Sequence, residues 1–236
     1  MLKIISKKGL ANNNENLKQN LNGLLGISIP KHLFSNDLVA EIADLGSKIC
    51  KNFVIVLVDY PERFNWLLHD CKSRGEAAEH SLQLGLERKQ GYYRALRKVG
   101  LHEKVPIWSW LRLAEETGYQ RNKKVVIDFF FSDKFFHKEV IEQVLKNIGG
   151  KIDEAEKKLG RQFSQSELDE ICHYFLEEIA GFFYLYFDLD YKIDIYPGAN
   201  TNLVEGIYAN KFPVLTERLG YDWTQRGWVE VGYTNS

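Results

Sequence analysis

Continuous apolar runs and helical repeats alternate along the first part of the chain. Residues 24–29 and 53–58 are short apolar runs bounded by Gly, Pro or Asp, as is typical of strands buried on both faces. Between them, apolar residues recur at helical spacing over residues 38–49, after capping residues at 35–37. Strand, helix and strand in this order form a βαβ unit. We therefore predict a parallel sheet, joined by a right-handed crossover and covered by helices.

The same patterns continue to about residue 200. The further predicted elements are helices over residues 63–72, 76–99, 151–159 and 167–180, and strands over residues 105–110 and 192–196. Residues 125–131 have the composition of a strand but lie inside a helical repeat, and we favour a helix. The Asn-rich residues 11–22 are typical of a loop. We predict a loose lead-in over residues 1–22 and a single domain over residues 23–236, since no internal repeat or low-complexity linker is present.

Composition narrows the class of protein. The 236 residues carry 31 basic and 32 acidic side chains, so a nucleic-acid site would have to be a local patch rather than a global positive field. A hydrophobic share of 44% with 13% aromatic residues indicates a folded protein. The three cysteines and six histidines are dispersed, which argues against a disulfide framework or a structural zinc site. We expect neither a metal nor a cofactor.

The first twenty residues contain no apolar stretch of signal-peptide length, and no run of 18 apolar residues exists anywhere. We therefore expect no membrane association and a cytoplasmic location.

Four residues stand where they could carry chemistry. Ser28 ends the first predicted strand, and ligands of open α/β sheets bind at that edge. Tyr174 and Glu178 lie one turn apart on a predicted helix, where a phenol and a carboxylate can hold an amino group. Tyr196 ends a strand before Pro197 and could reach the same crevice. Each residue alone has an ordinary alternative, namely a turn-bonding serine, an exposed helix pair and a core aromatic.

Two common classes of enzyme do not fit these residues. No G-x-S-x-G elbow surrounds Ser28, which disfavours that type of serine hydrolase. The segment 29–32 after the first strand reads Ile-Pro-Lys-His, which is neither a G-x-G-x-x-G fingerprint nor a Walker phosphate loop. A generic Rossmann nucleotide-binding enzyme therefore remains only a weaker alternative.

Taken together, the fragments resemble the cyclodipeptide synthases over about residues 24–220. Members of that family have a strand-end serine in a Gly-[Val/Ile]-Ser setting, as at Ser28, and a tyrosine–glutamate pair four residues apart. They have a further tyrosine about twenty residues later, as at Tyr196. Lys31 stands where one subfamily has asparagine, and Pro197 where it has histidine. The combination resembles the other subfamily, named for its x-Tyr-Pro signature.

The resemblance implies a function and a fold. Cyclodipeptide synthases use two aminoacyl-tRNAs and release a cyclic dipeptide, on a Rossmann-type sheet similar to the catalytic domain of class I tyrosyl- and tryptophanyl-tRNA synthetases. The chain lacks the HIGH-like and KMSKS-like motifs of those synthetases, so we expect it to consume aminoacyl esters without ATP. Ser28 would be the nucleophile, Tyr174 and Glu178 would hold the amino group, and Tyr196 would relay a proton. The sequence identifies no base for Ser28.

We also place further residues near the substrate. The expected pocket residues are Leu24, Gly26, Lys31, Trp108, Tyr119, Asp194 and Pro197. Among them, Asp194 lies on the strand face of Tyr196, where it would favour a polar or cationic side chain unless it faces solvent.

The helix predicted over residues 76–99 carries a basic band. Its members are Arg88, Lys89, Arg94, Arg97 and Lys98. In the family this helix meets the acceptor arm of tRNA, and phosphate binding needs only such a local band. The alternative is a solvated helix face. We expect aminoacyl-tRNA as the partner of a monomer, with a non-catalytic tRNA-binding module of synthetase-like fold as the rival interpretation. A new diketopiperazine in extracts of expressing cells would favour the enzyme.

Overall fold

Among the residues that the structure describes, six strands form one mixed sheet. The structure, a computed structural model, describes residues 2–12, 21–29, 34–70, 73–198, 201–222 and 225–233. The strands are β1 (Leu2–Gly9), β2 (Gly23–Ser28), β3 (Phe53–Val58), β4 (Ile107–Ser109), β5 (Ile193–Tyr196) and β6 (Gly227–Tyr233). Their order across the sheet is β1-β6-β5-β2-β3-β4. All neighbouring strands pair in parallel except β1, which is antiparallel to β6.

Helices pack against both faces of this sheet. Within the described residues the α-helices are α1 (Asn36–Ile49), α2 (Arg63–Asp70), α3 (Arg74–Lys98), α4 (Trp110–Ala114), α5 (Thr117–Ser132), α6 (Lys134–Leu159), α7 (Gln165–Phe183), α8 (Asn202–Tyr208) and α9 (Pro213–Leu219). A 3₁₀ turn (Tyr60–Glu62) follows β3, and a π-helical turn (Tyr184–Asp188) extends α7. No helix among the described residues is long and apolar enough to cross a membrane.

Residues of the central strands alternate between two hydrophobic cores. On one face, Leu24 and Val56 pack with the helices α5 to α7. On the opposite face, Leu25, Ile27 and Ile55 pack with α1 and the C-terminal part of α3. Every residue of β3 is buried, which explains its unbroken apolar sequence.

The strand order creates a crevice at the end of β2. The five parallel strands have the order β4-β3-β2-β5-β6. The strands β2, β3 and β4 follow one another towards one edge and β5 and β6 towards the other, so the order reverses between β2 and β5. Ligands of doubly wound sheets bind at such a reversal, outside the carboxyl ends of the strands. The last residue of β2 is Ser28 and the last residue of β5 is Tyr196, and both therefore lie at this crevice.

The structure confirms the α/β class and the four predicted strands. It corrects the prediction of a wholly parallel sheet, because β1 is antiparallel. Residues 2–9 belong to the sheet, whereas the sequence predicts a loose lead-in there, and residues 13–20 of that lead-in lie outside the described residues. The edge strand β1 is only half-buried and pairs with the distant β6, so neither strand carries a continuous apolar run.

The helix favoured for residues 125–131 is confirmed as part of α5. The predicted helix at residues 151–159 is the second half of α6, which begins at Lys134 after its cap Asp133. Capping boxes at Ser73 and Ser164 fix the starts of α3 and α7. These two helices carry residues that the sequence predicts for function, namely the basic band on α3 and the pair Tyr174 and Glu178 on α7.

Close packing between α7 and α4 predicts a position-dependent effect of added methyl groups. A Cβ at Gly181 would lie 2.2 Å from the Trp110 ring, whereas a Cβ at Gly150 on α6 would meet nothing within 4 Å. We expect Gly181→Ala to lower the free energy of unfolding by about 1–3 kcal/mol through overpacking. The control Gly150→Ala should raise it by about 0.5–1 kcal/mol through helix propensity. Urea denaturation measures both, and equal effects would contradict the packing described.

Candidate active site

A cavity of about 360 Å³ opens at the crevice beside the carboxyl end of β2. The four residues predicted to carry the chemistry all line it, namely Ser28, Tyr174, Glu178 and Tyr196. They come from β2 near the start of the chain and from α7 and β5 in its last third. The structure therefore brings the scattered fragments together around one cavity.

Two hydrogen bonds determine how the Ser28 hydroxyl is oriented. Its Oγ donates to Oε1 of Glu62 at 2.7 Å and lies 2.8 Å from the hydroxyl of Tyr174. A serine hydroxyl has a single proton. Because that proton is given to Glu62, Tyr174 is the donor in the second bond. Ser28 is 8% exposed, so these contacts form largely away from bulk water.

Glu62 is a site residue that sequence reasoning missed. It ends the 3₁₀ turn after β3, is 1% exposed and lines the cavity. Its second carboxylate oxygen accepts a 2.7 Å hydrogen bond from Nδ2 of Asn65. Burial raises the pKa of the Glu62 carboxyl, while the hydrogen bonds from Asn65 and Ser28 and the charge of Lys151 oppose that rise. An acidic residue just after the second strand of a βαβ unit was the available signal, since neighbouring parallel strands end at one edge.

Asp59 fixes the turn that carries Glu62. Its buried carboxylate accepts the backbone N–H of Tyr60 at 2.9 Å and that of Trp110 at 2.8 Å, and also the hydroxyl of Ser109. It therefore links the end of β3 to the end of β4. A Cβ at Gly85 would lie 2.6 Å from the Asp59 side chain, so α3 can approach this turn only with glycine there.

Neighbouring faces of α7 have different tasks. Tyr174 and Glu178 face the cavity, and burial followed by the nearby Glu178 carboxylate raises the pKa of Tyr174 well above its ordinary value. The adjacent Glu177 is 1% exposed and binds Arg63 in a fork, at 2.7 and 3.0 Å, together with Lys123. This buried cluster anchors α7 to α2 and α5 and so positions Tyr174.

Tyr196 lies in an aromatic wall of the cavity. Its ring contacts Phe34 edge-on at 5.6 Å between centroids and Trp228 at 5.5 Å. Trp228 also lines the cavity. Such packing limits the rotamers of Tyr196 and keeps its hydroxyl near the crevice.

Asp194 lines the cavity and does not face solvent. Its carboxylate is bound to the guanidinium of Arg226 and accepts a 3.1 Å hydrogen bond from Tyr186. Arg226 and Tyr186 also line the cavity. The charge of Asp194 is therefore compensated within the protein, which weakens the idea that it selects a cationic side chain.

Of the other predicted pocket residues, Gly26 lines the cavity. A Cβ there would lie 2.4 Å from the ring of Phe182, so glycine allows α7 to pack over β2. Leu24 is inaccessible, in the core beneath the site. Lys31 lies outside the described residues.

Three further predicted residues lie elsewhere. Tyr119 is buried in the core, where its hydroxyl accepts a hydrogen bond from Nε1 of Trp110 at 3.3 Å. Trp108 on β4 packs edge-on against Tyr191. Pro197 follows β5 and is not among the described residues that line the cavity. The periodicity of α5 points Tyr119 inward, and local sequence similarity did not reveal that direction.

The five predicted basic residues all lie on α3. Arg94, Arg97 and Lys98 are exposed, and Arg88 and Lys89 are partly exposed. The opposite face of α3 packs against the sheet, where Tyr92 donates a 3.1 Å hydrogen bond to the carbonyl of Phe34. Among the described residues, no group of three or more His, Cys, Asp or Glu side chains is arranged to hold a metal ion.

No family model and no curated protein sequence matches the chain. Solved structures do match. A cyclodipeptide synthase from Bacillus thermoamylovorans is 21% identical with a TM-score of 0.70, over 98% of this chain and 96% of that one. The chain has the fold of the cyclodipeptide synthases.

Two other structures extend this similarity. A cyclodipeptide synthase from Candidatus Glomeribacter gigasporarum bound to Phe-tRNAPhe is 17% identical with a TM-score of 0.67, over 95% of this chain and 93% of that one. The structure of the Mycobacterium tuberculosis protein Rv2275 demonstrates that cyclodipeptide synthetases are related to type I tRNA synthetases. It is 10% identical with a TM-score of 0.66, over 91% of this chain and 87% of that one. The synthetase-like fold expected from the sequence is thus confirmed.

The buried Asp194–Arg226 pair predicts a stability change that depends on pH. Arg226→Met leaves the Asp194 carboxylate buried without its cation, and we expect a loss of about 3–5 kcal/mol in the free energy of unfolding at neutral pH. Burial already raises the pKa of Asp194 in the folded protein, and the variant raises it further. The folded variant therefore binds more protons than the unfolded chain, so its deficit shrinks as pH falls towards the ordinary aspartate pKa.

The control is the double variant Arg226→Met with Asp194→Asn. An asparagine carries no charge, so the double variant should recover part of the loss and show no such pH dependence. Denaturant titrations at several pH values measure both effects. A deficit in Arg226→Met that is independent of pH would contradict the charge argument.

Proposed function

We propose that this chain is a cyclodipeptide synthase of the x-Tyr-Pro subfamily. The observation that carries the proposal is the cavity in which Ser28 meets Tyr174 beside Glu178 and Tyr196. A hydroxyl nucleophile, an amine-binding pair and a proton-relaying phenol are the groups that this reaction needs. The fold of the chain supports the same conclusion.

In the first step, Ser28 attacks the ester carbonyl of one aminoacyl-tRNA, and the aminoacyl group moves to the serine oxygen. An ester replaces an ester, so the step is close to thermoneutral and needs no ATP. The hydrogen bond from Tyr174 supports the Ser28 oxygen as negative charge develops on it. Glu178, one helical turn away, holds the ammonium group of the aminoacyl moiety by a charge-assisted hydrogen bond.

In the later steps, a second aminoacyl-tRNA binds, and the first amine attacks its ester carbonyl, which breaks the ester bond and releases the second tRNA as a free hydroxyl. An α-amino group titrates near 8, so the amine first loses a proton, which Glu178 accepts. The second amine then displaces Ser28 and closes the ring. Both bond formations turn an ester into an amide, which is favourable. Tyr196, in the aromatic wall of the cavity, relays a proton to the departing serine oxygen.

The tRNA partner meets the basic band of α3. Exposed cations in the last turns of a long helix offer contacts to consecutive phosphates. The similarity to a synthase bound to Phe-tRNAPhe supports an aminoacyl-tRNA as the partner. The balanced net charge of −1 is compatible with this, because the band is local.

The covalent intermediate gives the direct test. Wild-type protein incubated with aminoacyl-tRNAs should gain the mass of one aminoacyl group on Ser28 and release a diketopiperazine. Ser28→Ala should do neither, because the attacking oxygen is gone, while Ser166→Ala, an exposed serine on α7, should behave as wild type. Intact-mass and product analysis follow both outcomes. An active Ser28→Ala would end this mechanism, and tRNA binding by a wild type that is never acylated would favour the non-catalytic module.

The basic band predicts a change in salt dependence. Replacing Arg94, Arg97 and Lys98 with glutamine should weaken aminoacyl-tRNA binding and lower the slope of log K against log salt by about one for each lost phosphate contact. The matched control replaces three exposed cations on other helices, namely Lys48, Lys124 and Lys157. Filter binding at several salt concentrations measures both variants. Equal slopes in the two triple variants would place the tRNA elsewhere.

A further inference from the structure

We propose that Glu62 is the general base that activates Ser28, an assignment that rests on the proposed function. Ser28 Oγ donates its only proton to Glu62 Oε1 at 2.7 Å, within the range expected for a base and the proton that it abstracts. Glu62 thus touches the reacting atom and fills the role for which the sequence offers no candidate.

The surroundings hold Glu62 in this orientation. Asn65 donates to Oε2 at 2.7 Å, which leaves Oε1 directed at Ser28. Asp59 fixes the turn from which Glu62 projects, through bonds to the backbone N–H groups of Tyr60 and Trp110. A base held by its neighbours needs little rearrangement when the proton moves.

The hydrogen bonds around Ser28 run in the direction that nucleophilic attack requires. The Oγ proton leaves towards Glu62, and the hydroxyl of Tyr174 donates to Oγ. One lone pair of Oγ is then engaged by Tyr174, and the other is available for the carbonyl carbon. Tyr174 itself is a poor base, because burial keeps its phenol protonated by raising its pKa.

The other carboxylates of the cavity have different partners. Asp194 is bound to Arg226. Glu178 lies one turn from Tyr174 and is assigned to the amino group. Glu62 is the carboxylate on the β3 side of Ser28.

The charged and titratable groups facing Glu62 come from three elements. Ser28 approaches from β2, Tyr174 from α7 and the Lys151 ammonium from α6. Burial raises the pKa of the Glu62 carboxyl, and these groups, with Asn65, limit the rise. A base whose pKa lies closer to the working pH accepts a proton from an alcohol more readily than an ordinary carboxylate does.

Acylation of Ser28 moves one proton and one aminoacyl group. The Oγ–H bond of Ser28 breaks and its proton moves to Oε1 of Glu62, while the Oγ electron pair forms a bond to the ester carbonyl carbon. The bond from that carbon to the ribose oxygen of tRNA then breaks, and Glu62 returns the proton to the departing oxygen. The products are an aminoacyl-serine and a free tRNA hydroxyl, with Glu62 again ionised.

The test compares single-turnover acylation of Ser28 by aminoacyl-tRNA in wild type, Glu62→Gln and Glu62→Asp. Loss of a general base should slow acylation in Glu62→Gln by about 10²- to 10⁴-fold. In wild type, the acylation rate should fall at low pH as Glu62 becomes protonated. In Glu62→Gln, this fall should be absent. Glu62→Asp keeps a carboxylate and should retain that acid limb at a reduced rate. Glu142→Gln, which removes an exposed carboxylate from α6, serves as the control.

A merely structural role would give another result. Glu62→Gln would then lose thermal stability or tRNA affinity, and its residual acylation would keep the wild-type pH profile. That outcome, or acylation by Glu62→Gln within threefold of wild type, would overturn the assignment.

A second measurement separates this assignment from the proposed function. A fluorophosphonate probe reacts with activated serines without any tRNA. Faster labelling of Ser28 in wild type than in Glu62→Gln would support the base even if no aminoacyl-tRNA acylates the protein. Equal labelling rates would overturn it even if cyclic dipeptides are made.

Discussion

The candidate site depends on one constraint, the position of β2 between β3 and β5. From β2, the strands β3 and β4 follow one another towards one edge of the sheet, whereas β5 and β6 follow one another towards the other edge. The connections on the two sides therefore leave the sheet on opposite faces, and a crevice opens between them. The last residue of β2 lies at that crevice. Ser28 occupies this position, and the end of β5 delivers Tyr196 to the same place. The chemistry thus follows from strand order before any individual contact is made.

Buried carboxylates hold the strands, helices and turn around this crevice in place. A carboxylate removed from water is stable only with hydrogen bonds or a cation, so each one holds the elements that supply its partners together. Asp59 joins β3 to β4, and Glu177 joins α7 to α2 and α5. Asp194 joins β5 to the segment before β6, and Glu62 joins the turn after β3 to β2. Positions near Ser28 are therefore specified by directional contacts and not by apolar packing alone.

Sequence patterns predict those strands and helices whose side chains share one kind of environment along their length. The runs that form β2 and β3 are buried on both faces, so their apolar sequence alone indicates strands. The edge strand β1 and its partner β6 were missed, because their stability comes from a pairing between distant residues. The same limit applies at the site. The strand-end position of Ser28 predicts it as a site residue, whereas the contact of Ser28 with Glu62 crosses between two strand ends and is signalled only by the position of Glu62 just after the neighbouring strand.

The pairing of β1 with β6 has a consequence for how the protein is made. Residues 2–9 leave the ribosome well before their partner, residues 227–233, which follows the other described elements in the chain. The half-buried β1 therefore stays unpaired while the rest of the sheet assembles. The outer edge of β6 stays uncovered until β1 docks. Closing so long a loop adds little to the entropic cost, since that cost grows only with the logarithm of loop length. Docking of β1 would thus be a late event in folding, and one that protects a sheet edge from other chains.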